Sequence, residues 1–120
     1  MQGHSTNFGA GHKQQHTLAG EVCFEGVTLH KGFPGKLIIK PALANHGIVF
    51  KRIDVNSSMN LIKARWDNVS DTTLCTTVSN EIGISVSTIE HLMAAFAGCA
   101  IDNALVEINC PEIPIMDGSA

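Results

Sequence analysis

The chain has 120 residues, of which 44% are hydrophobic, with a formal net charge of −3; that is enough apolar content for one domain-sized core, and nothing in it argues for two complete domains. Its charges are mixed in sign and only 5% of its residues are aromatic, with no Tyr, so it lacks the basic, ring-bearing face of a nucleic-acid binder. No apolar run approaches the ~20 residues that span a bilayer, and the N-terminus lacks the charged-then-apolar layout of a secretory signal, which makes the cytoplasm the expected compartment.

Residues 1–13 are rich in Gly, His, Ser and Asn without periodicity. They read as a disordered leader or expression remnant ahead of a single domain over 14–120. Strands are expected at 15–24, 35–40, 47–54, 61–66 and 72–79, each short and β-branched or alternating. Turn chemistry at Glu25-Gly26, Phe33-Pro34-Gly35 and Asn45-His46-Gly47 separates them. Residues 82–86 add a short strand leading into a helix over 87–98, with Gly98 as its C′ stop, and 103–109 alternates like a half-buried strand. A second helix at 57–64 or 67–70 has a weaker signal. Strands followed by a helix, without strict βαβ alternation, predict an α+β two-layer sandwich of a mostly antiparallel sheet with helices on one face. Cys23, Cys75, Cys99 and Cys110 are far apart and form no Cys-x-x-Cys pair, so they read as reduced, small apolar residues. The last ten residues are partly apolar and carry no polar tail, so the chain reads as cut.

The helix carries the chemistry. Ile89, Leu92, Met93 and Phe96 recur at i, i+3, i+4 and i+7 and form one apolar stripe. His91, Ala94, Ala95 and Gly98 lie opposite with the same spacing, and three of these four have almost no side chain. Such a helix is expected to be sandwiched, its bulky side against its own domain and its small side facing another body of protein or a ligand. Glu90 points between the faces. Ser87-x-x-Glu90 has the form of a capping box, which would tie the Glu90 carboxylate to the Ser87 N–H; His91 in turn has the ordinary reading of an exposed or hydrogen-bonded helix histidine. The functional reading is a metal ligand at His91 with Glu90 reaching the attacking water. A His-Glu-x-x-His zinc motif is absent, because position 95 is Ala. His4, His12, His16, His30 and His46 all precede residue 50 and offer no companion spacing, so the sequence suggests half a site. One imidazole does not choose between zinc and iron.

Five segments together resemble a known family: Gly26-Val27-Thr28-Leu29-His30-Lys31-Gly32, Asp71-Thr72-Thr73-Leu74-Cys75-Thr76, Ser87-Thr88-Ile89-Glu90-His91-Leu92, Gly98-Cys99-Ala100-Ile101-Asp102-Asn103, and Pro111-Glu112-Ile113-Pro114-Ile115-Met116-Asp117-Gly118-Ser119-Ala120. In order and spacing they are similar to the UDP-3-O-acyl-N-acetylglucosamine deacetylases, the zinc amidases that commit Gram-negative bacteria to lipid A. The resemblance runs over about residues 15–120. It implies the N-terminal half of an enzyme built from two similar α+β domains, whose helices face each other across a buried site. It implies zinc as the cofactor, held by His91 together with a His and an Asp from the second domain of the same polypeptide. Glu90 matches the general base, which takes a proton from the water that attacks the acetamide of UDP-3-O-acyl-N-acetylglucosamine. Leu74 and Cys75 match a substrate-binding segment beside the metal, although a buried strand cysteine is the plain reading of Cys75. Thr73 stands where Met is expected in some relatives, a departure that bears on the polarity of that edge. His30 matches a recurrent histidine near the polar end of the substrate, with turn-stabilising hydrogen bonding as its alternative. Asp117-Gly118 reads as a turn into the second domain.

By itself such a fragment is expected to be inactive. Two other classes compete with this reading. One is a binding module that docks a partner on the His91/Ala94/Ala95/Gly98 face without a metal. The other is an unrelated small metal-binding protein that recruits the histidines of the leader.

Overall fold

The computed structural model describes residues 15–28, 32–73 and 75–115. Nine strands, one α-helix and one 3-10 turn follow one another along these residues: β1 (Val22–Thr28), β2 (Pro34–Pro41), β3 (Ile48–Arg52), β4 (Leu61–Lys63), the turn Trp66–Asn68, β5 (Val69–Asp71), β6 (Thr77–Ser79), β7 (Ser85–Ser87), α1 (Glu90–Gly98), β8 (Ala104–Ile108) and β9 (Pro114–Ile115). Six strands make the main sheet, in the order β4-β3-β8-β2-β1-β9, and β5-β6-β7 make a smaller one. Every pairing is antiparallel except β3 with β8.

Period-2 alternation builds the main sheet. In β2 Gly35, Leu37 and Ile39 are buried while Lys36 is exposed, and in β8 Ala104, Val106 and Ile108 are buried. The register sets Leu37 opposite Ile108, Ile39 opposite Val106, and Phe50 opposite Val106 on its other side, so these side chains line one face. Leu92 and Phe96 of α1 and Ile89 at its N-cap cover that face together with Val78 and Val86 of the small sheet. Each fully buried side chain of this size contributes about 1.5–3 kcal/mol. The architecture is the expected α+β two-layer sandwich, with the small sheet sharing the second layer with the helix.

Several boundaries differ from those expected. The first strand starts at Val22, and Glu25-Gly26 is no turn: it lies inside β1, opposite Lys36 and Gly35. Residues 15–17 are held by side chains instead. His16 N–H donates to Asp102 Oδ2 at 2.9 Å and Thr17 Oγ1 to the Asn103 carbonyl at 2.6 Å. Asn103, 2% exposed, joins this strap to the sheet: its Oδ1 accepts from Gly47 N–H and its amide donates to Gln15 Oε1. No second helix forms at 57–64 or 67–70. Residues 61–63 alternate exposed, buried, exposed and extend the sheet as β4, and 66–68 make a single 3-10 turn. The expected strand 72–79 is also shortened, to β6 at its end. Asp71 Oδ1 accepts from Thr73 N–H at 2.8 Å and breaks the chain there, between β5 and β6.

The helix ends at residue 98 as expected, but the left-handed residue that closes it lies two positions further on. Gly98 is its last residue, and Ala100 takes the left-handed conformation at φ 57°. Ile101 N–H donates to the Phe96 carbonyl and Ala100 N–H to the Ala97 carbonyl, which is the Schellman pattern, with Ile101 packing back on the core. All four cysteines are free; Cys23 and Cys99 are exposed, Cys75 is half-buried and Cys110 is buried. Among the described residues no helix is long and apolar enough to cross a membrane.

Arg52 ties the two sheets together. It is 8% exposed, donates through Nη1 to the Ser85 carbonyl of β7, and grips both carboxylate oxygens of Asp54 through Nε and Nη2 at 2.8 Å. The hydrogen bonds from Arg52 hold the Asp54 carboxyl below its ordinary value of 3.8. A depressed folded pKa stabilises the fold above the ordinary carboxylate value, and that contribution is lost as pH falls through the lower, folded one. Asp54→Asn is therefore expected to cost about 1–3 kcal/mol in urea denaturation at pH 7, and the gap to the parent chain should close as the pH drops below 3.8.

Two further outcomes are expected in the same assay. A Cβ at Gly35 would stand 2.8 Å from Cys110 Sγ and 3.2 Å from Pro114 Cβ, so Gly35→Ala should destabilise by about 1–3 kcal/mol, with partial recovery in a Cys110→Ala background. Ala100→Gly, which relieves the left-handed Ala, should stabilise by about 1 kcal/mol.

Candidate functional site

Burial of Ile89, Leu92 and Phe96 forces the other side of α1 outward. His91, Ala94, Ala95 and Gly98 are all exposed, as the two-faced periodicity requires, and Glu90 is exposed beside them. Glu90 occupies the first turn, where a carboxylate also complements the helix dipole.

Its partner is not the one a capping box would supply. The helix has no side-chain cap: Ser87 closes β7, and its N–H and hydroxyl both donate to the Pro111 carbonyl. Glu90 Oε1 instead accepts from Thr76 N–H at 3.3 Å, while Ile89 N–H donates to the Thr76 carbonyl, also at 3.3 Å. The backbone entering β6 thus grips the helix start. Cys75, next in the chain, is half-buried with Sγ 4.0 Å from Thr77 Oγ1.

Glu90, His91, Cys75 and Thr76 therefore meet at one end of the helix. Thr73 lies on the exposed turn just before them, its N–H held by Asp71; that bond lowers the Asp71 carboxyl pKa. Leu74 and His30 lie outside the described residues, as do 1–13 and Asp117-Gly118. Among the described residues no hydrogen bond engages the His91 ring, and the exposed imidazole is a ligand a metal can reach. No group of three or more His, Cys, Asp and Glu side chains among the described residues converges as a metal set. A metal at His91 thus needs donors from beyond them.

The periodicity reading missed the corner before the helix. Residue 88 was expected inside α1, but Thr88 is left-handed at φ 62° and 9% exposed, and its Oγ1 donates to Glu112 Oε2 at 3.0 Å. For a β-branched residue this backbone costs about 1–3 kcal/mol and persists only where its surroundings impose it. Glu112 is itself 4% exposed. The available signal was an acidic residue between two prolines in an otherwise apolar run, Pro111-Glu112-Ile113-Pro114. Behind His91 opens a mostly apolar cavity of about 430 Å³, between α1 and the β1–β2 face, lined by Val22, Phe24, Ile39, Thr88, Ala95 and Cys99 among others.

Comparison with known proteins adds to this geometry. Residues 15–120 match the family described as "LpxC: UDP-3-O-acyl N-acetylglycosamine deacetylase". Similar curated proteins named UDP-3-O-acyl-N-acetylglucosamine deacetylase include that of Shewanella woodyi, 52% identical over 106 residues covering 88% of this chain and 34% of the relative. That of Geotalea uraniireducens is 54% identical over 106 residues, with the same shares. The Photobacterium profundum protein is 49% identical over 107 residues, 89% of this chain and 35% of its own length. The chain spans about a third of the length of the curated relatives it matches.

Proposed function

The chain belongs to the UDP-3-O-acyl N-acetylglycosamine deacetylase family, and on that premise we propose that residues 14–120 form the first of two lobes of a zinc-dependent amidase acting on UDP-3-O-acyl-N-acetylglucosamine. The observation that carries this reading is the pairing of Glu90 and His91 on the exposed first turn of a helix whose remaining outward face is Ala94, Ala95 and Gly98. Small side chains there allow a second lobe to close over the pair. The same face would serve a metal-free binding module, but that reading gives no reason for a carboxylate gripped beside an accessible imidazole.

His91 would hold the zinc, with a His and an Asp from the second lobe. When bound, zinc supplies Lewis acidity that polarises the acetamide carbonyl and brings the pKa of a water towards neutrality. Glu90 is the general base. Thr76 N–H fixes one carboxylate oxygen, and the other takes the proton from the water as it attacks the carbonyl carbon. The C–N bond then breaks, and the leaving amine receives a proton from an acid of the second lobe. The family resemblance assigns Cys75, Leu74 and Thr73 to substrate binding beside the reacting amide, and His30 to the polar end of the substrate. The setting we infer is the cytoplasm of a Gram-negative cell, at the committed step of lipid A biosynthesis.

The test uses the full-length protein. Glu90→Gln should keep its zinc, measured by elemental analysis, while kcat falls by about 10²–10⁴-fold. His91→Ala should lose zinc during dialysis against a mild chelator. Normal turnover and metal content in both variants would refute the assignment.

A further inference from the structure

We propose that Thr88 and Glu112 form a buried clasp that positions Glu90 and His91, an inference that rests on the roles given to that pair above. β7 ends at Ser87 and α1 begins at Glu90, so the chain passes from strand to helix within two residues. The corner is turned by a left-handed residue, Thr88, at φ 62°. Gly takes that conformation freely and Asn with little strain, whereas a β-branched side chain resists it. What Thr brings is its hydroxyl, which donates to Glu112 Oε2 at 3.0 Å inside the fold.

The rest of the corner is anchored to the same segment. Ser87 bridges Glu112 in parallel, with Ser87 N–H donating to the Pro111 carbonyl at 2.9 Å and Ile113 N–H to the Ser87 carbonyl at 3.0 Å. Pro114, two residues past Glu112, pairs with Thr28 of β1. The corner is thus bolted to the edge of the main sheet on one side, while Thr76 grips Ile89 and Glu90 on the other. Glu90 and His91 follow Thr88 by two and three residues, so a rotation at Thr88 swings both. Thr88 and Glu112 act through the backbone that carries Glu90 and His91; they are positioning residues.

Misplacement of reacting groups by about an ångström lowers a rate up to about 10²-fold, and loss of an outer-shell partner costs a metal site about 10–100-fold. In the full-length enzyme, Thr88→Gly removes the hydroxyl and relieves the backbone. It should melt no lower than the parent, keep KM within about threefold and lower kcat by about 10–100-fold, a split that a purely structural residue would not produce. Thr88→Ser restores the hydroxyl and should return kcat to within about threefold of the parent. Thr88→Val, which leaves Glu112 Oε2 without this donor, should be at least as slow as Thr88→Gly; should it fail to fold, the Gly and Ser variants decide the matter. A folded Thr88→Gly enzyme with parental kcat overturns the clasp, as does a Thr88→Ser enzyme as slow as Thr88→Gly. Glu90→Gln measured alongside separates the two claims: slow Glu90→Gln with fast Thr88→Gly sinks only the clasp, and fast Glu90→Gln sinks the reading beneath it.

Discussion

The apolar layer between the six-stranded sheet and α1 decides how everything else is placed. Leu37, Ile39, Phe50, Val106 and Ile108 present one continuous face, and the helix can cover it only with Ile89, Leu92 and Phe96. Once those three are buried, the 100° step per residue leaves no choice about His91: it must point away from the core. Hydrophobic burial, which is non-directional and carries no chemistry of its own, thereby orients the imidazole. Glu90, at the margin between the two faces, has room to turn either way, and the Thr76 N–H selects its direction.

The layers, the helix and its two faces were legible in the residues, because periodicities of 2 and 3.6 are direct consequences of backbone geometry. Leu37/Ile39 and Val106/Ile108 alternate plainly, and no alternative helix reading competes with them. Local chemistry without a period was harder to read. Glu25-Gly26 looks like a turn but is kept extended by its ladder to Lys36 and Gly35, a long-range pairing that no window of residues contains. Ser87-x-x-Glu90 has every residue of a capping box and does not make one, because the bridge from Ser87 to Glu112 holds Ser87 in β7. Thr88 was hidden for the same reason. Its left-handed backbone follows from a contact 24 residues further along the chain.

The candidate site was legible only in part. The adjacency of Glu90 and His91 is visible in the sequence, yet their meaning comes from the family resemblance and from the exposure of the face they share. The approach of Thr76 could not be read, since it acts through its backbone and its side chain carries no signal. The left-handed Thr88 is where local preference and the packing of this lobe disagree, which is where a functional constraint is expected to show.

The thiol of Cys110 has a consequence of another kind. It is buried against Gly35 and its Sγ donates to the Glu112 carbonyl at 3.1 Å, and burial pushes its pKa up. Thiolates, not thiols, react with alkylating reagents, so the native fold silences this sulfur twice over, by exclusion and by protonation. Cys23 and Cys99, both exposed, have no such shelter. The molecule therefore contains its own opening gauge: the rate at which Cys110 becomes alkylated reports how often the seam between β2 and the 110–114 segment parts, the same seam against which the corner before α1 is braced.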